Sequence, residues 1–243
     1  MPTERIYYTG RSSRRVQGND TPFAIGFLER SGDGWRRHPD PVVVGDNRNP
    51  SVLGPKVLYA DGKWRMWFRA TPREPAKGEQ PVSAIHYTES TDGVSGWTEP
   101  RVLHPASEGF AHAYVHGGAS RYEMLLSTSP NLYGDPDHPE QGLWLSVSDI
   151  PSGDPADWTR PEPVLLAEDG PEWARNGFFG SSLCAGGEGK AQGDGARYVF
   201  FTGVNASVGW PALALRSLAA RRRPPVPAPF HFTIGRLRLD LET

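Results

Sequence analysis

The sequence has one cysteine, Cys184, in 243 residues. No internal disulfide can form from a single thiol. Cys184 stands in an apolar run, which predicts a small buried residue rather than a nucleophile. Charge of one sign is also lacking, since 26 Lys and Arg face 28 Asp and Glu for a formal charge of -2. Such a balance gives no electrostatic case for nucleic acid or an anionic membrane as partner. The short basic run Arg221-Arg222-Arg223 is expected to be a solvated turn. No apolar stretch reaches the length that spans a bilayer, and the first residues carry no apolar signal-peptide core. These absences predict a cytoplasmic protein of bacterial type. A sustained helical period is lacking as well, apart from a turn around residues 213–221.

What is present points to strands and turns. The chain has 28 glycines, 24 prolines and 11% aromatic residues, which fits many loops on an ordered scaffold rather than disorder. One pattern repeats. Its clearest copy runs Trp64-Arg65-Met66-Trp67-Phe68-Arg69-Ala70, then Ser83-Ala84-Ile85-His86-Tyr87-Thr88-Glu89-Ser90, then Thr91-Asp92-Gly93, then Trp97 and Arg101-Val102-Leu103. Another begins at Arg5-Ile6-Tyr7-Tyr8-Thr9-Gly10 and continues with Phe23-Ala24-Ile25-Gly26-Phe27-Leu28 and Trp35. A third holds Tyr122-Glu123-Met124-Leu125-Leu126-Ser127, then Leu143-Trp144-Leu145-Ser146-Val147, then Trp158. The last holds Tyr198-Val199-Phe200-Phe201-Thr202-Gly203, followed by a predicted strand over 211–217. β-Branched and aromatic runs bounded by Asp-Gly turns read as strands.

A turn-punctuated repeat near fifty residues predicts a β-propeller of four-stranded antiparallel blades, forming one all-β domain over 1–243. Four repeats are detectable, and a fifth blade is left open. Inner strands are expected at 51–59, 113–119 and 177–183, while the first repeat lacks one. The unmatched run over 232–239 is expected to pair near the N-terminal strands, closing the ring and removing exposed edges. Trp35, Trp97 and Trp158 are expected to pack between neighbouring blades.

In such a fold the long loops gather on one face: 11–22, 71–82, 128–141 and 204–210, with the connections 45–49, 104–112 and 168–176. Polar residues cluster at the inner ends of those connections. They are Asp46, Arg48 and Asn49 in the first, Glu108 and His112 in the second, and Glu172, Trp173, Arg175 and Asn176 in the third. Converging polar groups at the mouth of a rigid scaffold are the default site.

Asn49-Pro50-Ser51-Val52, Asp61-Gly62-Lys63-Trp64-Arg65-Met66-Trp67-Phe68, and Glu89-Ser90-Thr91-Asp92-Gly93 with Trp97 together resemble the five-bladed propeller glycosidases of the arabinanase, fructosidase and levansucrase-like clan. That resemblance implies carboxylates at the central ends of inner strands, whose separation sets the stereochemical outcome. Where the family has Asp before Pro-Ser, this chain has Asn49, and an amide can neither accept a proton as a base nor attack as a carboxylate.

Three readings follow. In a glycoside hydrolase-like enzyme, Glu172 is the general acid and Asp46 the base or nucleophile. Arg48, Asn49 and Asn176 then bind hydroxyls, Glu108 and Arg175 complete the polar set, and His112 with Trp173 shapes the pocket. In a repurposed lyase, cyclase or isomerase for a small metabolite, His112 and His116 matter more, since imidazole titrates near neutrality. Four residues apart on one strand, they share a face. In a non-catalytic carbohydrate-binding module, Trp173, Tyr133 and Trp210 stack on sugar rings. No zinc-like ligand spacing is present, and the Asp135-Pro136-Asp137-His138 loop reads as a turn, so neither metal nor cofactor is expected. The expected partner is a small molecule or carbohydrate, with a homodimer as an open alternative.

Overall fold

The computed structural model describes residues 3–12, 22–72, 82–117, 121–131, 135–185, 197–205, 210–221 and 231–239. They form four antiparallel sheets. The first holds β1 (Arg5–Gly10), β2 (Ala24–Ser31) and β3 (Gly34–Arg37). The second holds β4 (Ser51–Ala60), β5 (Lys63–Thr71), β6 (Ala84–Ser90) and β7 (Arg101–His104). The third holds β8 (Phe110–Gly117), β9 (Tyr122–Thr128), β10 (Gly142–Ser148) and β11 (Glu162–Leu166). The fourth holds β12 (Phe178–Ala185), β13 (Arg197–Asn205) and β14 (His231–Leu239). Within each sheet, consecutive strands are neighbours. Contacts run from β1 to β4, from β4 to β8 and from β8 to β12, so the first strands of the sheets stand side by side in chain order.

The strand pattern explains why the sheets stack. Side chains alternate across a strand. In β5, Met66, Phe68 and Ala70 join a cluster with Ile25, Val43 and Val52 toward the first sheet. Trp67 points the other way, into a cluster with Met124, Leu126 and Trp158 of the third sheet. β9 repeats the device, because Met124 and Leu126 face the second sheet while Leu125 faces Phe178, Val199 and Phe201 of the fourth. A strand apolar on both faces can only be satisfied between two sheets, which is why these strands read as near-continuous apolar runs. At the Asp61-Gly62 turn both residues have positive φ, 51° and 76°, the twist of a tight hairpin.

Two expectations are corrected. The strand over 232–239 does not pair near the N-terminal strands. β14 pairs antiparallel with β13 from Arg197↔Leu239 to Asn205↔His231 and so completes the fourth sheet rather than a ring. The strand expected over 211–217 is instead part of the helix α1 (Trp210–Ala219). Alanine and leucine are strong helix formers, and Pro211 falls in the first turn, where its missing N–H is not needed. The place of a third strand is thereby left to β14. Cys184 is exposed, not buried, because β12 turns that side of the fourth sheet away from the core.

Of the repeated tryptophans, Trp158 is buried between the second and third sheets. Trp97 packs edge-on to Tyr7 of the first sheet at 6.3 Å. Trp35 is 42% exposed, with Arg30 lying over its ring. No helix among the described residues is long and apolar enough to cross a membrane.

Candidate functional site

The first strands of the second, third and fourth sheets each carry an irregularity in register. It lies between Leu53 and Lys56 in β4, between Phe110 and His112 in β8, and between Phe178 and Ser181 in β12. A bulge re-aims the side chains that follow it. Here the three bulges deliver Lys56, His112 and Ser181 to one cavity of about 330 Å³, walled by Phe179, Thr202 and Ile234. Glycines make two of the bulges: Gly54 has φ +61° and Gly180 has φ +83°, a region that L side chains rarely occupy. A Cβ at either would lie 3.7 to 3.8 Å from the His112 ring. The glycines therefore flank the imidazole on both sides. Each donates its N–H to a hydroxyl of the sheet before it, Gly54 to Thr9 Oγ1 at 2.8 Å and Gly180 to Ser127 Oγ at 3.2 Å.

Among the described residues, Lys56 is the charged group lining the cavity, and two buried polar atoms there lack partners. Burial, with Arg69 and Lys56 nearby, pushes the His112 imidazole down to about 3, so it is neutral. Its Nε2 is buried with no hydrogen-bond partner among the described residues, and the same holds for Ser181 Oγ. The His112 ring meets Phe179 edge-on at 4.7 Å. The Lys56 ammonium lies 4.8 Å over the Tyr114 ring, and burial pushes its pKa below the usual lysine value. The Arg69 guanidinium lies 5.7 Å from the Phe179 centroid. No Asp or Glu lines this cavity among the described residues.

Of the residues singled out in the sequence, His112 is in this cavity. His116 lies on the same strand and face, opposite Glu123. Asp46 is exposed, and its Oδ1 accepts from the backbone N–H of Arg48 at 2.8 Å and of Asn49 at 2.6 Å. Those two bonds favour the carboxylate and hold its pKa below the usual aspartate value. Glu172, in the 3-10 turn Glu172–Ala174, is 83% exposed in its side chain and pairs with Arg175 at 3.5 Å. Trp173 stacks on Phe201 at 5.8 Å. Its ring also covers Gly203 and Gly235, where an added Cβ would come within 2.3 and 2.5 Å of it. The Asn176 N–H donates to the Val204 carbonyl at 3.0 Å. Tyr133 lies outside the described residues.

Glu108 belongs to a second cavity of about 450 Å³ at the rim of the second and third sheets. Its Oε2 lies 2.7 Å from His104 Nδ1, and Phe110, Trp144 and Trp158 form the walls. No group of three His, Cys, Asp or Glu side chains among the described residues could hold a metal ion.

The sequence reading passed over Lys56, Ser181 and Phe179. The signal that could have found them is the glycine shared by two inner strands, Leu53-Gly54-Pro55-Lys56 and Phe179-Gly180-Ser181. An isolated glycine inside a strand pattern marks a bulge or a close approach.

No family model matches the chain, and no curated protein sequence matches it. Solved structures do. A glycosyl hydrolase from Bacteroides ovatus superposes with a TM-score of 0.58 at 13% identity, over 96% of this chain and 62% of that one. A GH32 β-fructofuranosidase from Bombyx mori gives 0.53 at 13% identity, over 84% and 41%. An α-L-arabinanase from Penicillium chrysogenum, complexed with arabinobiose, gives 0.52 at 14% identity, over 82% and 55%. The chain thus spans between 41% and 62% of the length of these three structures. The likeness is one of fold, to five-bladed β-propeller glycoside hydrolases.

Proposed function

We propose that this chain is a sugar-directed protein on a glycoside-hydrolase-like propeller scaffold, and that its ligand enters the cavity shared by Lys56, His112 and Ser181. The carrying observation is convergence: three successive sheets break register at matching places and aim three polar groups into one cavity. Two of those groups have buried atoms without protein partners. Buried polar atoms are normally satisfied, so an unsatisfied pair at a cavity wall is a reason to look for a ligand there.

The cavity favours recognition over two-carboxylate hydrolysis, since no Asp or Glu lines it among the described residues. Glycosidases commonly need an acid and a second carboxylate flanking the scissile bond. A buried imidazole held near 3 stays neutral at neutral pH and offers a ligand hydroxyl a hydrogen bond, but it is too weak a base to take the hydroxyl's proton efficiently. The hydrolytic version of the proposal keeps Glu172 as general acid and Asp46 as base or nucleophile, with Arg48, Asn49 and Asn176 on hydroxyls. The fold likeness to glycoside hydrolases favours that version.

The test is a panel of mono- and disaccharides, assayed for binding by calorimetry and for turnover by product analysis, with His112→Gln and Glu172→Gln. We expect His112→Gln to lose binding tenfold or more and Glu172→Gln to behave as the parent. Turnover that falls by orders of magnitude in Glu172→Gln would replace this reading with hydrolysis.

A further inference from the structure

Lys56 has no acid partner among the described residues. Other shielded cations among them have acid partners: Arg5 pairs with Glu29 at 3.1 Å, Arg65 with Asp61 at 3.6 Å, and Arg197 with the buried Glu123. The Lys56 ammonium is partly withdrawn from water at the wall of this cavity, 4.8 Å over the Tyr114 ring. A desolvated charge is unfavourable unless an opposite charge or a set of hydrogen bonds accompanies it. No Asp or Glu lines the cavity among the described residues. Arg69 stands over the opposite aromatic wall, Phe179, and His112 beside it contributes no negative group. Ser181 Oγ, on the same wall and on the strand that also supplies Gly180, has no hydrogen-bond partner among the described residues. Ammonium, hydroxyl and imidazole thus meet in a space of about 330 Å³, near the lower end of the range of about 300 to 1,000 Å³ common for small-molecule pockets.

Resting on the sugar reading above, we infer that this cavity takes the anionic group, a carboxylate or a phosphate, of a sugar-sized ligand, with Lys56 as its charge partner and Ser181 and His112 as its hydrogen-bond partners. A single anionic group answers each observation. It neutralises the ammonium, its oxygens accept from Ser181 and from a His112 N–H, and the apolar side chains of Phe179 and Ile234 border the carbon part of the ligand. A cationic ligand is disfavoured by the same field, and a fully neutral one leaves Lys56 unmatched.

The experiment is titration calorimetry with neutral monosaccharides, their uronic acids, their 6-phosphates and inorganic phosphate, at low and raised salt. The proteins are the parent, Lys56→Met, Lys56→Arg and Ser181→Ala. We expect a uronic acid or sugar phosphate to bind at least tenfold tighter than its neutral parent sugar, with the preference shrinking as salt rises. Lys56→Met should lose that preference, Lys56→Arg should keep most of it, and Ser181→Ala should weaken anion binding several-fold. Thermal unfolding separates loss of affinity from loss of fold, since replacing an unmatched cation by an isosteric apolar chain should leave Tm unchanged or higher.

Each outcome decides something. Neutral sugars binding as tightly as their acids, or Lys56→Met binding the acids like the parent, overturns the anion assignment and leaves the sugar reading standing. Phosphate binding that depends on Lys56, with no sugar of any charge bound, upholds the anion site and removes the sugar reading. Absence of binding by every probe removes both.

Discussion

The backbone N–H of Gly54 leaves its own sheet and donates to the Thr9 hydroxyl of the neighbouring sheet at 2.8 Å. One bond therefore does two jobs. It satisfies a donor that the bulge in β4 removes from the ladder, and it fixes the turn that presents Lys56 to the cavity. Thr9→Val, which is isosteric, should leave that donor unsatisfied and lower stability by about 1 to 3 kcal/mol. Urea unfolding measures the loss. If the bond positions the cavity, the same variant should also weaken ligand binding, although Thr9 does not line it.

The repeated tryptophans should not be equivalent. Trp158 is 7% exposed between two sheets and Trp35 is 42% exposed. Trp158→Ala should cost about 3 to 5 kcal/mol through lost burial and a cavity. Trp35→Ala should cost about 1 kcal/mol or less, because an exposed site away from such packing seldom matters more. Equal losses in thermal denaturation would mean that Trp35 is covered in solution.

Trp173 is expected to act through stability. Its ring stacks on Phe201 and closes over two glycines, so its face is occupied by protein. Trp173→Ala should destabilise the fourth sheet by about 3 kcal/mol. Gly203→Ala should destabilise it as well, since the new methyl would meet the indole at 2.3 Å. Any sugar affinity that remains in folded Trp173→Ala, compared with the parent by calorimetry, should be close to unchanged. A selective loss of affinity at full stability would give the indole a stacking role.

His112 should make stability depend on pH. Its folded-state value is about 3, against about 6.5 for an unstrained histidine. The folded chain keeps it neutral while the unfolded chain protonates it below about 6.5. The stabilisation is therefore complete above about pH 6.5 and is lost as the pH falls toward 3. Asp46, Glu29, Glu89 and Asp92 are held below their ordinary values by hydrogen bonds, and they add their own loss at lower pH. Burial also holds His86 below its ordinary value, so both histidines act between pH 6.5 and 4.5, and only the difference between the parent and His112→Gln isolates His112. Unfolding there should take up about one proton more in the parent than in His112→Gln, measured as the difference in slope of stability against pH. Parallel slopes would show that water reaches the ring.

Much of the fold was legible because strands announce themselves locally. The runs at 64–70 and 122–128 are apolar on both faces, and that pattern already demands a sheet on each side. The inner strands at 51–59 and 177–183 were legible for the same reason. The segment over 211–217 misled the repeat reading, because the repeat outweighed a local Ala-Leu helix preference that α1 in fact obeys. The pairing of 232–239 could not be read either. An unmatched strand can satisfy any free edge, and only the spatial order of sheets makes β13 the edge within reach. Of the site, His112 was visible from its place on an inner strand. Lys56 and Ser181 were not, since a bulge shifts register by one residue and changes which side chains face the cavity.

The sequence by itself determined an all-β chain of repeated antiparallel sheets, because alternation, Asp-Gly turns and apolar runs are short-range properties. It also determined that no disulfide and no strong net charge help to hold the chain together or to choose its partners. Only the tertiary structure decided where the chemistry lies. Three bulges on strands far apart in sequence converge on one cavity, and convergence depends on how the sheets stack. Asp46 is drawn into its own turn and Glu172 into solvent, while Lys56, unremarkable in the sequence, sits in a cavity with no acid beside it among the described residues.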